Sequence, residues 1–145
     1  MNWKTKKFEE LNVNELYAIL QLRSKVFVVE QNCPYQDMDD IDQKSFHLFG
    51  TENNQVIAYA RLIPENISYP EASIGRVVVD PAHRGKELGK VLMVKAIEQM
   101  NKLFNSKQIT ISAQLYLLKF YNELGFKEIG ETYLEDNIPH IKMKL

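Results

Sequence analysis

With one cysteine, Cys33, in 145 residues, the chain has no partner with which to close an internal disulfide. Its histidines at 47, 83 and 140 stand far apart, and no Cys/His group has zinc-ligand spacing, so no metal is expected. An excess of either charge is also missing. Lys plus Arg number 18 against 19 Asp plus Glu, a net charge of −1, which gives no general attraction to nucleic acid or to an anionic membrane. No stretch reaches the ~18 apolar residues of a membrane helix, and the N-terminus lacks a signal-type apolar core. These absences predict a cytoplasmic protein in a reducing compartment, with neither nucleic acid nor membrane as partner.

What is present suffices for one core. A chain that is 45% hydrophobic and 26% charged fits a single domain over residues 1–145. Alternation over 3–8 predicts an edge strand whose lysines disfavour pairing there, leaving a monomer or a homodimer through another surface. Asn12 with Glu15 predicts a capping box. Leu16, Ile19, Leu20, Arg23, Val26 and Phe27 then mark one face of a helix, with Arg23 interrupting the apolar stripe. Runs at 47–52 and 55–64 flank Asn53-Asn54 and read as a hairpin. A strand at 73–79, a long helix from Leu88 ended by Asn105-Ser106, and a strand at 108–113 follow. Joining two strands through a helix implies a parallel, right-handed crossover. A short helix at 115–124 stops at Gly125, and 126–134 with 138–145 forms a last hairpin. The fold class is α/β (α+β), a mixed sheet of about seven strands flanked by helices.

Asp37, Asp39, Asp40 and Asp42 resemble a calcium loop only in charge. The sixth position is Asp42 rather than glycine and the twelfth is Leu48 rather than glutamate, so calcium is rejected. The run reads as a solvated loop, or as an anionic lip drawing in a cationic amine.

The chemistry concentrates at 73–90. An apolar run, Ser73-Ile74-Gly75-Arg76-Val77-Val78-Val79, meets the turn Asp80-Pro81-Ala82-His83 and then Arg84-Gly85-Lys86-Glu87-Leu88-Gly89-Lys90. Strand, loop and helix start bring free backbone N–H groups and cations to one spot, which suits a phosphate. A Walker A loop needs four residues between glycine and Gly-Lys; here three separate Gly85 from Gly89, and Val91 follows Lys90. A dinucleotide fingerprint fails because Lys86-Glu87 replaces its second glycine.

The remaining pattern, Arg/Gln-x-x-Gly-x-Gly/Ala, resembles the acetyl-CoA pyrophosphate loop of the GNAT superfamily of N-acetyltransferases. Arg84 and Gly89 match it, while Glu87 replaces the middle glycine. A second stretch, Phe120-Tyr121-Asn122-Glu123-Leu124-Gly125-Phe126, is similar to the family's Tyr-x-x-x-Gly-Phe pattern and lies one crossover unit downstream. Leu22-Arg23, the segment 26–31, Cys33-Pro34-Tyr35 and the segment 136–141 resemble the ElaA-type subgroup, with Asn137 in place of a usual glycine. The resemblance covers nearly the whole chain.

It implies an acyltransferase using acetyl-CoA as co-substrate, without a metal, and a primary amine as acceptor, joined by direct attack. Acetyl-CoA would lie where the strands ending at Val79 and Ala113 splay apart. Amides from Gly85 through Lys86, Glu87, Leu88 and Gly89 to Lys90 would hold the pyrophosphate, helped by Arg84 and Lys86. Val77 and Val79 would pair with the pantetheine arm, an N–H near Val77 or Val78 would face the oxyanion, and Gln114 would lie near the cofactor. Tyr121 would protonate the leaving thiolate, since its ordinary pKa of about 10 is close to a thiol's roughly 8.5. The base would be His140 or Glu30, and Arg23 and Arg76 would orient an acceptor carboxylate. A non-catalytic acyl-CoA-binding module on the same fold is the rival reading, and a nucleotide-binding enzyme a third.

Overall fold

Strand-forming runs and turns generate seven strands: β1 (Asn2–Lys7), β2 (Phe46–Glu52), β3 (Gln55–Ile63), β4 (Ala72–Val79), β5 (Ile109–Gln114), β6 (Lys127–Glu135) and β7 (Ile138–Lys144). In the computed structural model, which describes residues 1–105 and 108–145, they make one sheet in the order β1-β2-β3-β4-β5-β7-β6. Among the described residues only β4 and β5 are parallel neighbours. Both hairpin turns use left-handed asparagines, Asn53 and Asn54 at φ 51° and 63° and Asn137 at φ 62°, a geometry that asparagine tolerates. Three helices pack on the sheet: α1 (Val13–Arg23), α2 (Leu88–Phe104) and α3 (Leu118–Glu123). The expected cap of α1 is present: Asn12 Oδ1 accepts from Glu15 N at 2.8 Å and Glu15 Oε1 from Asn12 N at 3.0 Å. At the far end of α2, Asn105 adopts the left-handed stop at φ 48°, whereas Ser106 lies outside the described residues.

Side chains alternate across a strand, so the sheet has two apolar faces. Leu48, Leu62, Ile74 and Ile111 meet Leu92, Met93, Ala96 and Met100 of α2 on one. Phe49, Tyr59 and Val78 meet Ile19, Leu22 and Val26 on the other. Ile74 and Val78 are four apart yet face opposite ways, because β4 carries a bulge. Arg61 is opposite Gly75 but Tyr59 is opposite Val78, and Arg76 absorbs the extra residue in a left-handed conformation, φ 49°. A bulge bends its strand. Pairing of β4 with β5 stops after Ala72–Ile109 and Ser73–Thr110, and beyond this β5 pairs with β7.

Two expectations need correction. The helix expected through Phe27 ends at Arg23, and Ser24–Glu30 continues as a π-helix. Its wider turns show in Gln31 N to Val26 O (3.1 Å) and Cys33 N to Val28 O (3.0 Å); one broadened turn barely disturbs the apolar spacing, so the pattern hid it. Asp40 of the acidic run is exposed as expected, but Asp37, Asp39 and Asp42 are paired with arginines and form neither a solvated loop nor a free anionic lip. Arg23, wholly buried, donates to Asp37 (2.8 Å) and Asp42 (2.7 Å). Arg61 holds Asp39 through two bonds of 2.8 and 2.9 Å and reaches Asp42 at 3.0 Å. Arg76 donates to the other Asp37 oxygen at 2.8 Å. Three cations from α1, β3 and β4 converge on one face, and the loop supplies the counter-charge. Arg23 is therefore spent on the fold and cannot orient an acceptor.

Burial by itself would raise the Asp39 and Asp42 carboxyls, but hydrogen bonds and charge from the arginines outweigh it and lower both, Asp39 to about 2. The folded carboxylate thus titrates below the unfolded value of about 3.9. Its contribution is fully present above that value and disappears as pH falls toward 2. Urea midpoints are expected to hold steady from pH 7 to about 5 and to drop from about pH 4 downward. Arg23→Met, which takes one of two guanidinium partners from each of the buried Asp37 and Asp42 carboxylates, should cost up to roughly 3–5 kcal/mol at neutral pH, read from the same unfolding curves.

Candidate active site

The loop between β4 and α2 has the form a phosphate site needs. Asp80 caps the turn through Ala82 N at 2.9 Å. Gly85 (φ 86°) and Glu87 (φ 55°) are left-handed, and the first helical bond is Val91 N to Glu87 O at 3.2 Å. The amides of Leu88, Gly89 and Lys90 precede that bond and have no partner within the helix. The left-handed backbone explains why glycine suits position 87, since a residue with a Cβ pays about 1–2 kcal/mol there. A Cβ on Gly89 would meet the Phe120 ring at 3.7 Å, an ordinary contact. Packing therefore does not demand this glycine; its missing side chain keeps the passage between α2 and α3 open.

That passage belongs to a cleft of about 1080 Å³ running through the gap between β4 and β5. Val77, Val78, Val79, Arg84, Gly85, Glu87, Leu88, Gly89, Lys90, Gln114, Tyr121 and His140 all line it. Lys86 is exposed at the tip of the loop and Glu30 lies on the π-helix, both outside the lining. Glu30 instead takes both terminal nitrogens of Arg84, at 2.7 and 2.8 Å, while Arg84 Nε donates to Val79 O at 3.2 Å. The Arg84 hydrogen bond lowers the Glu30 carboxyl, and the pair raises Arg84 in return. A second pair, Lys25 to Asp80 at 3.2 Å, also ties the π-helix to this loop.

Tyr121 sits in α3, which ends where Gly125 turns left-handed (φ 103°) and Phe126 N returns to Tyr121 O at 3.1 Å. Its ring lies edge-on to Phe120 and Phe126, with centroids 5.1 and 5.9 Å away. Burial pushes its phenol well above the ordinary value. Packing and a lining position thus coincide: the ring belongs to the core, and the residue still borders the cleft.

On the α1 side of the sheet the same cleft is polar. Ser112 of β5, Tyr133 and Glu135 of β6 and His140 of β7 come together there through the registers Gln114–His140 and Tyr133–His140. Ser112 Oγ hydrogen bonds the Tyr133 hydroxyl. His140 Nδ1 is 2.6 Å from Ile138 O, and its Nε2 is 3.3 Å from Glu135 Oε2. Burial raises the Tyr69 phenol to about 12, with the charges of Tyr133 and Glu135 adding to it. Tyr69, Ser112 and Glu135 went unnoticed in the sequence because Ser112 and Glu135 are joined only by strand register and Tyr69 reaches them from the loop between β3 and β4; alternation in β5 is the signal that could have found Ser112. Among the described residues no group of three or more His, Cys, Asp or Glu could hold a metal ion, and no helix is long and apolar enough to cross a membrane.

A seven-stranded mixed sheet, splayed at its one parallel pair beside a phosphate-type helix start, is the fold of acyl-CoA N-acyltransferases. The acyl-CoA N-acyltransferase of Pseudomonas aeruginosa superposes with a TM-score of 0.93 at 42% identity, covering 99% of each chain. The chain belongs to the GNAT acetyltransferase family: residues 9–145 match the Acetyltransferase (GNAT) domain. It is 43% identical to protein ElaA of Escherichia coli over 145 residues, 99% of this chain and 95% of ElaA. The ElaA crystal structure gives a TM-score of 0.92 over 99% of this chain and 97% of that one. An aminoglycoside 6'-N-acetyltransferase solved with coenzyme A shares the fold at 14% identity, with a TM-score of 0.71 and coverage of 98% and 96%.

Three substitutions probe the loop by calorimetric titration with CoA. Glu87→Gly removes a strained backbone and a nearby carboxylate, and should tighten binding about three- to tenfold. Gly89→Asp puts a carboxylate into the passage and should weaken it sharply. Glu30→Gln releases Arg84 and should tighten binding about two- to fivefold, the scale of an exposed ion pair.

Proposed function

We propose that the protein transfers an acetyl group from acetyl-CoA to a primary amine by direct attack within a ternary complex. The observation that carries this reading is the single cleft joining the unpaired amides at the start of α2 to Tyr121 on one side of the sheet and to the His140 cluster on the other. The loop residues fit a diphosphate: Leu88, Gly89 and Lys90 offer backbone donors, and Lys90 adds a cation. Val77 and Val79 lie beyond the last β4–β5 pair, so a pantetheine amide would pair on this strand edge, where Arg84 Nε already takes the Val79 carbonyl. The Val78 neighbourhood, turned by the bulge, would face the oxyanion.

Tyr121 is the proton donor to the departing thiolate. Its raised pKa keeps it protonated at every working pH, and a thiolate leaving in the same buried cleft is made more basic by the same desolvation. The base comes from the His140 side rather than from Glu30, whose oxygens are both engaged with Arg84. Cys33, buried and donating to Asp136 O at 3.1 Å, suits a reduced thiol in a cytoplasmic protein. Glu87, a carboxylate at the edge of the phosphate site, favours the second reading, an acyl-CoA-binding module without turnover.

Titration with acetyl-CoA followed by thiol release over a panel of amines separates the two. Binding with release supports the transferase, and binding with no release for any amine supports the module. Tyr121→Phe keeps the ring and its packing, so CoA affinity should stay near wild type while turnover falls about 10²-fold or more. An equal loss in both would remove Tyr121 from the acid role.

A further inference from the structure

The chemistry on the α1 side of the cleft goes further than a choice of His140 as base. Both ring nitrogens of His140 already face acceptors, Ile138 O at 2.6 Å and Glu135 Oε2 at 3.3 Å. A ring whose Nδ1 donates to the carbonyl has only Nε2 left, and that atom points at a carboxylate. No lone pair of the imidazole is therefore turned toward an incoming amine. The Glu135 carboxylate differs: Oε2 lies 3.3 Å from His140 Nε2, a hydrogen bond when that nitrogen carries a proton, while Oε1 makes only a long 3.5 Å contact with Ser112 Oγ. Glu135 lines the cleft with Ser112, His140 and Tyr121, and 49% of its side chain remains exposed.

Its surroundings suit a cation. Tyr133 stacks on His140 at 6.1 Å between centroids, and Tyr69 lies across the same cluster. Arg61 and Arg76 border the same cleft, each paired with an aspartate of the acidic loop. Lys142 Nζ rests over the Tyr69 ring at 5.2 Å, while Asp39, across the cleft, is neutralised by Arg61. Asp136, next along the turn, also borders the cleft and adds negative charge.

We propose that Glu135 receives the acceptor's ammonium group beside the hydrogen-bonded Tyr69 and Tyr133 and acts as its general base, with His140 as the positioning residue. This rests on the transferase reading above. The step is R–NH3⁺ plus the Glu135 carboxylate giving R–NH2 and the Glu135 acid. The freed amine then forms the C–N bond as the thioester C–S bond breaks, Tyr121 protonates the thiolate and is restored by the second proton that the nitrogen sheds in becoming the amide, and the exposed Glu135 returns its own proton to water. The acceptor class is therefore an amine that is cationic in solution.

The test uses the full chain, acetyl-CoA, and a panel of polyamines, lysine-containing peptides and aminoglycosides, each paired with an uncharged hydroxyl analogue. Glu135→Gln should leave CoA affinity unchanged and lower kcat with the best amine about 10²-fold or more. The defect should shrink toward high pH, where solution supplies neutral amine. His140→Gln should give a smaller loss with a displaced pH profile, which a purely structural role would not produce. Amine binding to the CoA-loaded protein, followed by NMR of the Tyr69 and Tyr133 rings, gives a readout independent of turnover: Glu135→Gln should weaken it at least severalfold. The assignment is overturned if Glu135→Gln keeps wild-type kcat and pH profile, if hydroxyl analogues bind as well as amines, or if no amine of the panel binds. Failure of acetyl-CoA to bind the wild type at all would instead remove the underlying transferase reading.

Discussion

The ion pair between Arg76 and Asp37 holds the feature on which the rest depends. Arg76 sits in a left-handed conformation that costs a side-chain-bearing residue about 1–2 kcal/mol, in the middle of a strand that would otherwise continue beside β5. Its guanidinium is fixed by the Asp37 carboxylate at 2.8 Å and the Asp37 carbonyl at 3.0 Å. Asp37 in turn is fixed by buried Arg23. The bulge reverses which way β4 side chains face, ends its pairing with β5 after two residue pairs, and so opens the sheet. The acidic loop thus shapes the cleft by holding a strained backbone in place.

The two faces of the opened sheet have different chemistry for a reason that begins in the sequence. Odd residues of β5 and β7, such as Ile111, Ala113, Ile141 and Met143, are apolar and close the core under α2 and α3. Even residues, Ser112, Gln114 and His140, are polar and line the other side. One side therefore supplies an apolar wall with a phenol, and the other supplies carboxylate, imidazole and hydroxyl groups. A gap crossing the sheet at that point brings the two chemistries to one cleft.

Most of the architecture was legible from local signals. The Asn12 capping box, the Asn53-Asn54 turn, the Gly125 stop and the strand-loop-helix at 73–90 each depend on residues close in sequence. What stayed hidden depends on distance. The partners of Arg23 lie 14 and 19 residues away, and Glu30 meets Arg84 across 54. No periodicity reports such encounters, so the aspartates read as solvent-facing. The Ser112, Tyr133 and Glu135 grouping needs the register of three strands, including the irregularity between Ile129 and Tyr133. The π-helix was concealed for the opposite reason, because its apolar pattern is almost that of the α-helix it extends.

At the wide end of the split, Gln31 Nε2 reaches Gln114 Oε1 at 3.2 Å and Cys33 meets the Asp136 carbonyl. Each such bond contributes only about 1 kcal/mol net, whereas the narrow end is fastened by ladder pairing and by the core beneath it. The molecule is built like a clothes peg, with a stiff spring at Ser73–Thr110 and a light latch at Gln31 and Cys33. The two halves of the sheet thus share one firm hinge point and a continuous apolar backing under α2, while the polar mouth opposite is tied by two single bonds.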